Sequence, residues 1–213
     1  MARGYAITLP VGWHRLSLSD DDQAVVRSAE HRFLTRDDDS ARSALARHRF
    51  RETVTRLVAR ARATGVVDLF VHAGPSRTGI GPMSLAVSVV AGTGLDTEDR
   101  LVDDDDPVAP RFVRVSLPAG PALRRARREA VPLADVVDDV IAVGDPEACA
   151  SDADAARRRG QGHETDSASL DHLIALPDSA GACLMLSFRA IGGPHVEAEL
   201  HHADSIVRTL RWT

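Results

Sequence analysis

Several stretches of this chain alternate apolar and polar residues, and a period of two predicts half-buried strands. Ala6 to Leu9 and Trp13 to Leu18 read as two short strands on either side of a Pro10–Gly12 turn. Val67, Leu69 and Val71 alternate, as do Met83, Leu85, Val87 and Val89, and then Val113, Val115 and Leu117. The stretch from Leu123 to Val131 alternates too, but with arginine as its polar partner, a pattern that suits a sheet edge where charge discourages stray pairing. Leu170 to Leu176 and Ala182 to Ala190 predict a last hairpin around Pro177–Gly181.

Three segments carry a helical period instead. Ser19 followed by Asp20, Asp21 and Asp22 marks a helix start, with acids where the macrodipole favours them. Val25, Ala29 and Phe33 follow at intervals of four. A second helix is expected over Ala41 to Ala63, with Phe50, Val54, Leu57, Val58 and Ala61 on one arc and Gly65 as the stop. The third is expected from Pro194 to Trp212, with Val196, Leu200, Ala203, Val207 and Leu210 on its buried face.

The remaining segments read as connections. Gly74 to Pro82 is a Gly/Pro loop between two strands, and Gly94 to Pro110 is acidic and irregular. Gly144 to Ser169 is rich in Ala, Asp, Arg, Gly and Ser, with few large apolar residues, and reads as a flexible insertion. The expectation is one domain over residues 1–213: α+β, a twisted antiparallel sheet of about six or seven strands with helices on both faces (an α/β/α sandwich).

Composition removes several chemistries. All 26 basic residues are arginine, and Lys and Asn are absent, a bias typical of GC-rich genomes such as those of actinobacteria. Without lysine there is no Schiff-base nucleophile, no covalently held pyridoxal cofactor and no Walker-type phosphate loop. A net charge of −5 speaks against general nucleic-acid binding. No apolar run approaches the roughly 20 residues of a membrane span, and none near Met1 has signal-peptide length. With only Cys149 and Cys183, a disulfide framework is not expected and a cytoplasmic location fits.

Two surface features have chemical content. His195, Glu199 and His202 fall at i, i+4 and i+7 on the third helix, a spacing at which two imidazoles and a carboxylate can hold zinc. Polar stripes of that period are also ordinary borders of an amphipathic helix. The second helix carries Arg47, Arg49, Arg51, Arg56 and Arg60 among its seven arginines, against the single acid Glu52. That field suits an acidic partner, although a chain without lysine writes every surface cation as arginine. Asp103 to Asp106 are consecutive and run into Pro107, so they lack the alternation, glycine and terminal Glu of a calcium loop. Gly74 to Gly81 leads into a strand, not a helix, which removes the dinucleotide-loop reading, and no Gly-x-Ser-x-Gly elbow exists. No catalytic residue and no cofactor are assigned.

Three stretches together resemble the PsbP-like superfamily: Ile7-Thr-Leu-Pro-Val-Gly-Trp13, Leu184 to Phe188, and Ile206-Val-Arg-Thr-Leu-Arg-Trp212. The resemblance covers under a fifth of the chain, and its residues are packing residues. It implies an antiparallel sheet between helix layers and, as the commonest role, non-enzymatic partner binding, including secretion-adaptor chaperones. It brings no catalytic residue. The leading expectation is therefore a cytoplasmic accessory or chaperone-like protein that binds another protein, in a secretion-associated setting. Two other classes stand beside it: a metal-dependent hydrolase using the histidine-rich third helix, and a structural domain that oligomerises through a sheet edge.

Overall fold

Residues 4–33, 41–72, 83–91, 95, 111–132, 164–177, 179, 181–191 and 196–213 are described by the computed structural model. In chain order they form β1 (Tyr5–Ala6), β2 (Trp13–Leu16), α1 (Asp22–Phe33), α2 (Ala41–Ala63), β3 (Val66–His72), β4 (Met83–Ala91), β5 (Val113–Leu117), β6 (Gly120–Pro132), β7 (Glu164–Ala175), β8 (Ala182–Ile191), α3 (Val196–Val207) and β9 (Arg211–Trp212). Seven strands make one sheet in the order β2-β3-β4-β8-β7-β6-β5, and every pairing is antiparallel. The α+β class and the antiparallel sheet are as the alternation predicts.

Because successive side chains of a strand point to opposite faces, the period of two divides the core into separate clusters. Phe70, Leu85, Leu170, Leu186 and Phe188 pack with Leu200, Ala203, Ile206 and Val207 of α3. The next residues along β3, Leu69 and Val71, pack instead with Val25 and Ala29 of α1 and with Phe50, Val54 and Val58 of α2. A third, smaller cluster of Leu123, Leu173 and Cys183 lies on the face away from α3. Cys183 is buried in β8, as its strand position suggests, whereas Cys149 lies outside the described residues.

The two chain ends meet. β1 pairs with β9 in a separate ribbon, with Tyr5 opposite Trp212 and Ala6 opposite Arg211. Reciprocal backbone bonds of 3.1 Å between Gly4 and Thr213 extend it. The ribbon is tied at both sides. The Tyr5 hydroxyl donates to Asp68 of β3, which also accepts from Arg15 Nε at 2.6 Å, while Trp212 Nε1 donates to the Ala119 carbonyl at 2.7 Å. Burial and the hydrogen bond to the Asp68 carboxylate push the Tyr5 phenol far above its ordinary pKa.

Several boundaries differ from the sequence expectation. α1 is capped by Asp21, whose Oδ1 accepts from Ala24 N–H at 2.8 Å, and not by Ser19. The neighbouring loop carbonyls of Leu18 and Asp20 are taken by Arg62 of α2. α3 ends at Val207 rather than continuing to Trp212. The N–H groups of Thr209 and Leu210 close back on Ile206 and Val207 at 2.9 and 3.0 Å, tightening the last turn and releasing the chain into β9. The arginine-rich strand is not an edge: β6 lies between β5 and β7, and β2 and β5 are the edges. Three of its four arginines, Arg124, Arg125 and Arg128, meet acids there, as described below. The expected insertion at 144–169 is corrected at its end, since β7 begins at Glu164 and buries Ala168. The rest of that stretch, like the 74–82 and 96–110 loops, lies outside the described residues.

If the ribbon holds the ends against the sheet, Trp212→Phe costs about 1 kcal/mol through the lost hydrogen bond to Ala119. Trp212→Ala should cost about 3 kcal/mol through lost packing as well. Urea unfolding of both variants measures the two values, and wild-type stability for Trp212→Ala would contradict the ribbon's role.

Candidate functional site

The long strands β6 and β7 and the helix α3 bring together a dense set of ionisable groups. On the α3 side, Arg124 of β6 forms a bidentate pair with Asp204 of α3, through Nε to Oδ1 at 3.1 Å and Nη2 to Oδ2 at 2.8 Å. His172 of β7 stands beside Arg124 across the ladder and reaches the same carboxylate, Nε2 to Oδ1 at 3.2 Å. Burial alone would favour the neutral acid. The hydrogen bonds from His172 and Arg124 outweigh it and hold the Asp204 carboxyl well below the usual carboxylate range. Two turns toward the helix start, Arg128 of β6 pairs with Glu197 at the surface.

Two of the three residues of the sequence-proposed zinc stripe are described. His195 lies outside the described residues, Glu199 is buried, and His202 is half-buried against the sheet. Among the described residues no group of three or more His, Cys, Asp or Glu side chains comes together to hold a metal ion. Instead His202 lies near His72, the buried end of β3, whose ring tilts against Trp13 at 5.6 Å. Trp13 in turn meets the Phe188 ring edge-on at 6.2 Å. Burial, and then the neighbouring His72 charge, lower the His202 pKa. His201 turns outward and bonds the Glu197 carbonyl through Nδ1 at 2.8 Å.

On the other face of the same strands, Arg125 donates to Asp171 Oδ2 through Nη2 at 2.9 Å and Nε at 3.2 Å. Ser187 Oγ donates to Asp171 Oδ1 at 2.8 Å, and the Arg125 guanidinium lies 4.2 Å from the centroid of the Phe112 ring. These three residues form one cross-strand row, β6 to β7 to β8.

The arginines proposed on α2 divide into two groups. Arg51 Nε donates to Glu30 of α1 at 2.5 Å, and Arg62 binds Asp22 and the loop before it, so both fasten α2 to α1. Arg47 is partly buried, and the Arg49 side chain lies outside the described residues. Arg56 and Arg60 are exposed; Arg56 meets only Thr53 Oγ1, at 3.3 Å, and Arg60 has no acidic partner among the described residues.

Sequence reading missed the group around Asp204 altogether. A signal was present, because Asp171-His172 interrupts the otherwise apolar run from Leu170 to Leu176, and buried polar residues require partners. Its partners are distant along the chain, Asp204 lying 32 residues from His172 and Arg125 lying 46 residues from Asp171, which no local pattern links.

Neither a protein-family model nor a curated protein matches the chain. Among solved structures it is similar to LpqN of Mycobacterium tuberculosis, described as involved in cell envelope biogenesis. The identity is 11%, the match covers 99% of this chain and 86% of that one, and the TM-score is 0.43. No helix among the described residues is long and apolar enough to cross a membrane.

Two pH windows follow from these groups. The depressed Asp204 pKa contributes stability in full above pH ~4, the unfolded value, and that contribution is lost as pH falls through the folded value. Asp204→Asn should cost about 2–3 kcal/mol near pH 7, because it leaves Arg124 without its anion at a partly exposed site. The variant should also lose stability less steeply than wild type below pH ~4, measured by denaturant melts across that range.

His202 acts in a separate window. Its lowered pKa means that the unfolded chain takes up a proton first, so stability falls as pH drops below ~6.5. His202→Gln should flatten the profile between pH ~6.5 and ~5; an unchanged slope would show that His202 is not the group responsible.

Proposed function

We propose that this chain is a non-enzymatic accessory domain that binds an acidic partner protein through the solvent side of α2. The observation that carries the reading is the division of labour among the α2 arginines. Arg51 and Arg62 are consumed in holding the helix down, whereas Arg56 and Arg60 face solvent one turn apart without an acidic partner among the described residues. Exposed cations in that arrangement raise the association rate with an acidic surface and favour it over a basic one.

The non-catalytic side of the proposal is supported by the state of the best acid–base pair. His172 is 1% exposed, and its Nδ1, the atom that would exchange a proton with substrate, lies beneath α3 with no hydrogen-bond partner among the described residues. A general base needs its nitrogen within reach of a substrate proton. Here α3 would have to lift away first.

The same proposal includes the PsbP-like, helix–sheet–helix layering. Its support is the alternation in β3, where Phe70 packs with the α3 cluster and Leu69 and Val71 with that of α1 and α2. The scarcity of cysteine supports a cytoplasmic setting, and a secretion-associated role is what the PsbP-like resemblance implies.

Affinity capture from the native cytoplasm tests the reading. The wild-type chain should retain a partner in a salt-dependent way, and Arg56→Gln/Arg60→Gln should reduce its affinity roughly tenfold at low salt. Equal retention of every partner by wild type and the double variant would defeat the proposal.

A further inference from the structure

We infer that the sheet face opposite α3 carries an oxyanion site of phosphate chemistry, formed by Arg127, Ser169 and Arg189. The three residues stand side by side on adjacent strands: Arg127 of β6 is opposite Ser169 of β7, and Ser169 is opposite Arg189 of β8. Their face is fixed by their neighbours. Arg128 pairs with α3, Ala168 and Leu170 pack in the α3 cluster, and Phe188 and Ala190 do the same, so the pleat sends all three to the other side. Arg127 and Arg189 are exposed, Ser169 is half-buried, and neither arginine has a hydrogen-bond or ion-pair partner among the described residues.

The neighbouring row shows what is missing. Two residues along each strand, roughly 7 Å away on the same face, stand Arg125, Asp171 and Ser187. There the central carboxylate accepts from the arginine on one side and the serine on the other, and the row is neutral. In the Arg127 row the central acid is replaced by serine and the flanking serine by a second arginine. The donors remain and no described residue supplies the anion, which leaves the centre of the row open to one from solution. Glu129, exposed on the same face, is opposite Ser167 in the row beyond and weakens the local field without occupying the centre.

The donor set selects the ligand. A carboxylate is satisfied by one guanidinium and one hydroxyl, as Asp171 shows with Arg125 and Ser187. Two forks approaching from strands roughly 10 Å apart, with a hydroxyl between them, match a tetrahedral dianion with three or four acceptor oxygens. That chemistry is offered by a free phosphate or by the phosphomonoester headgroup of a lipid. The site is independent of the α2 surface proposed above.

Calorimetric titration of the full chain with inorganic phosphate, against chloride at matched ionic strength, tests the inference. Phosphate should bind saturably with a Kd on the order of 1 mM or tighter, and chloride should not. Arg127→Gln and Arg189→Gln should each weaken phosphate at least tenfold. Ser169→Asp rebuilds the Asp171 arrangement and should abolish phosphate binding while the melting temperature holds or rises. Arg56→Gln/Arg60→Gln should leave phosphate affinity unchanged, which separates this site from the partner surface on α2.

Co-sedimentation with phosphatidylcholine vesicles, with and without phosphatidic acid, then identifies the source. Recruitment by phosphatidic acid that Ser169→Asp removes makes the ligand a lipid headgroup, and phosphate binding without recruitment makes it a soluble phosphate. Non-saturable heats, an equal response to chloride, or full phosphate affinity in Ser169→Asp would overturn the site.

Discussion

A pleated strand that carries consecutive arginines must supply an anion on each face to which the pleat sends them. That requirement organises the centre of this protein. β6 presents Arg124 and Arg128 to one side and Arg125 and Arg127 to the other. Arg124 is met by Asp204 and Arg128 by Glu197, both from α3, while Arg125 is met by Asp171 from the adjacent strand. An unpaired buried guanidinium costs several kcal/mol, so placement of α3 over β6 and β7 is as much an electrostatic matter as a hydrophobic one. The apolar stripe of α3 supplies the burial, and Asp204 sets where along β6 that stripe comes to rest.

The same logic links fold to function. Charges that the fold uses internally are unavailable to partners, and charges left over mark where partners belong. On α2, Arg51 and Arg62 are spent on α1 and its leading turn. On the sheet, Arg125 is spent on Asp171. Among the described side chains of α2 and of β6 to β8, the arginines left exposed without an acid are Arg56 and Arg60 on the helix and Arg127 and Arg189 on the strands. The terminal ribbon is tied by polar contacts as well, with Asp68 receiving both Tyr5 and Arg15 near one flank and Ala119 receiving Trp212 near the other.

The strands and the long helix were legible in the sequence because their apolar periods are local. Val113 to Leu117 and Ala41 to Ala63 match their predicted spans residue for residue. Polar strands were harder. Glu164 to Ser169 lacks large apolar residues, so it reads as a linker, yet in the ladder Ser169 and Ala168 fit beside Arg127 and Arg128 of β6, and Ser169 beside Arg189 of β8. β6 was read as an edge because its arginines seem to want water, and only the distant acids Asp171 and Asp204 make an interior position tolerable. The turn after Val207 was invisible for a similar reason: Thr209 is drawn to Thr8, some 200 residues earlier, whose N–H it accepts at 2.9 Å.

The stripe of His195, Glu199 and His202 had the correct spacing for a metal, but its setting was not legible in the sequence. Its described members turn toward the sheet, where Glu199 is buried and His202 has the His72 charge beside it. Spacing fixes which residues share a helix face; it does not fix whether that face is open.

Guanidinium NMR of the wild-type chain in anion-poor buffer tests the central claim most directly, because it reports each arginine's partner separately. Arg124 and Arg125 should show slowly exchanging Nε protons and hindered rotation with resolved Nη signals, while Arg127 and Arg189 should rotate freely. Free rotation at Arg124, or restraint at Arg127 and Arg189 equal to that at Arg125, would contradict the account.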